Sequence, residues 1–155
     1  MTNSEAIALL AGMGALLAVV GIIGIIMYVL YGISHMKAYK MMGYKNAWGA
    51  WIPFYSSYVL ADCIPESKES VNILGLSIPG TLFKFWWIVS FVVAYVPAVG
   101  TILSLVVTIL CAGKCYTTIY ATLEGKSQDE VKVVGYLSGW LSIIAIFKFL
   151  SYKNN

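Results

Sequence analysis

From Ala6 to Ser34 the chain runs through apolar residues without one charged side chain, and this stretch limits the fold more than any other. About 20 helical residues cross a hydrocarbon core of roughly 30 Å. The run is longer than that, so a tilted helix, or one with a protruding last turn, is predicted. A water-soluble domain could not cover so much apolar surface: 60% of the residues are hydrophobic and 11% are charged, against about 25% charged in soluble proteins. The segment before the run lacks a basic cluster and the run exceeds a signal-peptide core, so it is expected to remain as a membrane helix.

The other apolar stretches predict an all-α membrane protein forming one domain over 1–155, with about four transmembrane helices near 6–34, 81–96, 99–119 and 133–149. Residues 47–61 are too short for an ordinary crossing. Their Trp and Tyr content, with Pro53 inside, predicts an aromatic interfacial or re-entrant segment. A second interfacial piece is expected over 71–80, where Asn72, Gly75, Pro79 and Gly80 interrupt the apolar residues. Asp62 to Ser70 is read as a solvated connector.

Lys37, Lys40 and Lys45 follow the first helix directly, which places that end in the cytoplasm and the N-terminus outside. Keeping 47–61 on the cytoplasmic side adds Lys114, Lys126 and Lys132 to the same face. Lys148 and Lys153 then fall outside, against the charge rule.

Two sets of residues carry the candidate functions. On the third helix, Gly100, Ser104, Thr108, Cys111, Cys115 and Thr118 recur at steps of four or three and form one narrow stripe. Small hydroxyl and thiol residues so arranged let helices pack closely, or line a narrow polar path. Packing is favoured, because no intramembrane carboxylate accompanies the stripe. In the aromatic segment Trp48, Trp51, Tyr55 and Tyr58 would share a face wherever it is helical, either anchoring the chain among lipid headgroups or docking a partner.

Further spacings predict contacts. Ala11, Gly14, Ala18 and Gly21 form a small-residue seam on the first helix, Gly135 and Gly139 a small-xxx-small pair on the last, and Ser127 with Glu130 a capping box. The single histidine, His35, is read as a polar residue at the interfacial end of the first helix. Cys63, Cys111 and Cys115 are too few and too irregular for a disulfide framework or a zinc site.

Gly43, Tyr44, Lys45, Trp48, Ile52, Pro53, Phe54, Tyr55 and Tyr58 together resemble a family of small uncharacterised bacterial polytopic membrane proteins with a Gly-aromatic-Lys, Trp and Ile-Pro-Phe-Tyr motif. Ser56 stands where that family commonly has Asn. The resemblance implies a bacterial inner-membrane protein of several helices and supplies no catalytic residues.

With one His, two Asp and five Glu, acid, base and metal-ligand candidates are sparse, so no catalysis, cofactor or metal is expected. The Lys residues are scattered and no Arg-rich tract is present, so a nucleic-acid role has no support. The expected function is a non-enzymatic accessory, structural or interaction subunit, of immunity or stress-related type, whose partners are the lipid bilayer and a membrane protein, a peptide or further copies of itself. The alternative is an oligomeric channel or small-solute transporter using the third-helix stripe.

Overall fold

The computed structural model describes residues 2–153, which are mostly helical. Helix α1 (Asn3–Met41) opens on a capping box in which the Glu5 amide donates to Thr2 Oγ1 and the Thr2 amide donates to the Glu5 carboxylate. Along its first part every large apolar side chain from Ile7 to Ile26 is exposed. Near Gly32 it meets the rest of the protein. A Cβ at Gly32 would lie 2.6 Å from Trp51 Cε3, so the absent side chain is what lets that indole lie on the helix.

A short 3-10 turn (Ala47–Trp51) precedes α2 (Tyr55–Asp62), and Pro53 with Phe54 at φ 64° separates the two. A second 3-10 turn (Pro65–Lys68) leads into β1 (Ser70–Ile73) and β2 (Leu76–Pro79), an antiparallel hairpin pairing Val71 with Ile78 and Ile73 with Leu76. Then follow α3 (Gly80–Phe83), α4 (Trp86–Val93), α5 (Gly100–Glu124), α6 (Gln128–Trp140) and α7 (Ser142–Ser151). Among the described residues two helices, α1 and α5, are long and apolar enough to cross a membrane.

Three expectations are altered. The piece at 71–80 is a β-hairpin, because Val71 and Ile73 bury one side of β1 while Leu74 and Gly75 both take positive φ and close the turn. The stretch at 81–96 is broken around Lys84 and Phe85, where Lys84 pairs with Asp62 at 2.5 Å. The stretch at 133–149 is two helices divided at Leu141, whose backbone is extended (φ −118°, ψ 91°). Beyond the break Lys148 pairs with Glu124 at 2.6 Å and Phe149 is fully buried, so α7 is held against the body by its own contacts.

Helices α5 and α6 form the tightest pair. Gly125 in the left-handed conformation ends α5, and the Ser127–Glu130 capping box starts α6. Their crossing is glycine-built: a Cβ on Gly135 would lie 2.0 Å from Thr117 Oγ1, and one on Gly139 2.6 Å from the Gly113 amide nitrogen. The core behind this pair joins the end of α1 to α5 and α7 through Tyr39, Ile119, Tyr120 and Phe149.

His35 lies within that core and not at an interface. Its Nδ1 is 3.0 Å from the Tyr31 carbonyl, which can only accept, so Nδ1 carries the proton; in the neutral ring Nε2 then accepts from the Tyr116 hydroxyl at 2.9 Å. Ser34, also buried, adds a contact of 3.1 Å to Nδ1. These bonds tie α1 to α5.

Candidate functional site

The α5 stripe lies against other parts of the chain: Gly100, Cys111, Cys115 and Thr118 are buried, and Ser104 and Thr108 are half-buried. Gly100 allows the turn before it to close, since a Cβ there would lie 2.6 Å from the Ala94 carbonyl oxygen. One hydroxyl on α4, that of Ser90, reaches Ser104 Oγ at 2.9 Å and Thr108 Oγ1 at 2.8 Å. Cys111 and Cys115 are buried thiols. Thr118 donates to Glu66 Oε1 at 3.2 Å. The stripe therefore lies against α4 in its first half and against the 62–70 loop in its second.

Glu66 is a residue that the sequence left in a solvated connector. The structure places it on α5, where Oε1 accepts from Gln128 Nε2 at 2.7 Å and lies 3.6 Å from Lys114 Nζ. Lys114 in turn donates to Gln128 Oε1 at 2.6 Å. Partial burial by itself would raise the Glu66 carboxyl, but its own backbone amide, Gln128, Lys114 and Thr118 outweigh that and hold it below the usual glutamate range. The loop folds inward because Ile64 is fully buried and the Ser67 hydroxyl donates to the Ile64 carbonyl at 2.8 Å. One isoleucine beside Pro65 in a polar stretch was the available signal.

Asp62 is equally structural. It joins Lys84 to the Tyr44 hydroxyl, 2.5 Å from its Oδ2, linking the turn after α1 to the start of α4.

The four aromatic residues do not share a face. Trp51 turns to α1, edge-on to Tyr28 at 6.2 Å between centroids, and the Tyr28 hydroxyl donates to the Trp51 carbonyl. Trp48, Tyr55 and Tyr58 form a separate group, with Tyr55 and Tyr58 stacked at 5.6 Å and Trp48 6.2 Å from Tyr55. Phe85 of the α3–α4 link extends it at 5.5 Å from Tyr58. The extended backbone at Ile52 and the positive φ at Phe54 rotate the two halves apart, which helical spacing alone could not foresee.

Two cavities flank the β-hairpin. A wholly apolar one of about 510 Å³ lies between the hairpin, α4 and α5, with walls that include Ile73, Leu76, Val89, Val107 and Leu110. A smaller one, about 270 Å³, is polar and takes Asn72, Lys114, Gln128, Asp129, Lys132 and Tyr136. Leu74, at the hairpin turn, belongs to both. Trp86 forms part of the apolar wall, and its buried indole Nε1 has no hydrogen-bond partner among the described residues.

Comparison with protein-family models, with curated proteins and with solved structures returns no match.

Proposed function

We propose that the protein is a non-enzymatic integral membrane protein of a bacterial cytoplasmic membrane, acting as an accessory or interaction subunit with its N-terminus outside. The observation that carries this reading is the bare first part of α1. A side chain added at Gly12, Gly14, Gly21 or Gly24 would meet nothing within 4 Å, whereas Gly32, Gly113, Gly135 and Gly139 are all closely covered. That length is held by lipid and faces a partner helix, from another membrane protein or a second copy, along Ala11, Gly14, Ala18 and Gly21.

Support for a non-catalytic role comes from the engagement of the polar groups: His35, Asp62, Glu66 and Glu124 each bond to neighbours that fix the fold. The hydroxyls of the stripe are likewise engaged by Ser90 and Glu66, which supports packing over a solute path.

In this arrangement α1 crosses the bilayer and the α4–α5 hairpin enters it from the cytoplasmic side. Helix α4 rises roughly 12 Å over Trp86–Val93, and the turns after it carry the uncharged Pro97–Gly100 turn toward the middle of the hydrocarbon core. The turn answers part of its own backbone, with the Val99 and Gly100 amides donating to the Pro97 and Val96 carbonyls at 2.8 and 2.9 Å. Residues 133–149 make no fourth crossing in this arrangement. Lys37, just past the first apolar run, donates to the Leu150 carbonyl at 3.0 Å, which keeps the end of α7 on the Lys37 side. Lys148 and Lys153 then join the cytoplasmic lysines, and the charge asymmetry that a fourth span creates disappears.

Single-cysteine variants in a background lacking Cys63, Cys111 and Cys115 test this. In intact cells an impermeant maleimide should label Thr2→Cys and spare Lys68→Cys, Lys126→Cys and Lys153→Cys. Labelling at position 153 from outside would restore the four-span arrangement, and labelling at 68 would invert the placement of the body.

A further inference from the structure

The two cavities at the β-hairpin lie in series along one face of α5. Val107 and Leu110 border the apolar cavity, and Lys114 and Thr117 border the polar one, at successive steps of three, four and three. Leu74 closes the junction on the hairpin side. The order of polarity matches that of a lipid leaflet. The apolar cavity sits beside the half of α5 whose Ile102, Leu105 and Val106 are exposed, and its wall continues into the exposed side chains Ile88 and Val89 of α4. The polar cavity lies one to two turns nearer the charged body.

Charge narrows the occupant. Lys114 is already matched by Glu66 and Gln128. What remains is Lys132 and Asp129, both exposed and neither in an ion pair among the described residues. One unpaired cation and one unpaired anion on the same rim suit a headgroup bearing both signs, and they suit a purely anionic one less well.

We infer that the hairpin site binds one zwitterionic phospholipid, with an acyl chain in the apolar cavity, the phosphate toward Lys132 and the ammonium toward Asp129. The hairpin is the clasp: its exposed Leu74 and Leu76 cover the chain, and its Asn72 borders the head. This inference rests on the membrane placement proposed above. It is read on protein purified in detergent, so its failure and a failure of the labelling experiment are distinguishable.

The test uses the full chain, stripped of lipid in mild detergent and then incubated with phosphatidylethanolamine or phosphatidylglycerol, with retained lipid counted by native mass spectrometry. The unaltered protein should retain one phosphatidylethanolamine in preference to phosphatidylglycerol. Lys132→Gln and Asp129→Asn should each lower its retention about tenfold, the loss of one charge-assisted contact. Val89→Trp, which fills the apolar cavity from an exposed position, should abolish retention. All three side chains lie outside the core, and thermal melting should confirm that the variants stay folded. Equal retention of both lipids, or retention unchanged in the folded charge variants, would overturn the inference.

Discussion

Replacing Gly135 by leucine is expected to separate α5 from α6, with a loss of at least about 3 kcal/mol in stability. Overpacking a well-filled core costs about 1–3 kcal/mol when side chains can move aside. Here they cannot. A Cβ alone at position 135 would lie 2.8 Å from the backbone nitrogen and Cα of Thr117 as well as 2.0 Å from its hydroxyl oxygen. The helices have to part, and the Lys114–Gln128 bond across the same pair is lost with them. Gly12→Leu is the matched control, because an added Cβ there meets no neighbour. Thermal unfolding in detergent should show a large fall for the first variant and none for the second. Equal behaviour would mean that the glycine crossing does not hold the pair together.

The parts of this fold that were legible in the sequence are those set by local chemistry. The uncharged run specified α1, Pro97 and Gly100 specified the turn before α5, and Ser127 with Glu130 specified the start of α6. Gly135 and Gly139 were readable as a contact because close helix approach needs small residues at that spacing. What stayed hidden depends on residues far apart in the chain. Nothing at Leu141 breaks a helix by itself; the break follows from α7 reaching Glu124 with Lys148 and the core with Phe149. The hairpin was hidden for a different reason. Its turn uses Leu74 at φ 52°, where Asn would be the usual signal, and Asn72 instead stabilises it through a side-chain bond from the Gly75 amide at 3.0 Å. For the candidate site, the α5 stripe was legible as a row, but its partners Ser90 and Glu66 were not, since helical periodicity describes one element and says nothing of what lies against it.

Lys114→Met should have the next largest effect, and a pH-dependent one. Removing one partner from a buried ion pair costs about 3–5 kcal/mol because the remaining charge is left uncompensated. With 29% of its side chain exposed, Glu66 recovers part of that from solvent, so about 2 kcal/mol is expected. The carboxyl is held below its ordinary value of 4.5 in the folded chain. A depressed carboxyl stabilises the fold above its unfolded value, and this contribution is lost as pH falls through the lower, folded value. In the unaltered protein the Glu66 contribution should therefore persist below pH 4.5 and fade only in more acidic solution. In Lys114→Met the carboxyl keeps the Gln128 and Thr118 bonds but loses the cation, so the fade should move upward toward the ordinary range. Glu66→Gln completes the cycle. It should remove this part of the pH dependence, and in its presence Lys114→Met should cost clearly less than it does alone. Melting temperatures of the four proteins between pH 3 and pH 7 decide the matter. Additive effects of the two substitutions, with unchanged acid profiles, would mean that the 62–70 loop is held on α5 by Ile64 and Ser67 and owes nothing to the charge pair.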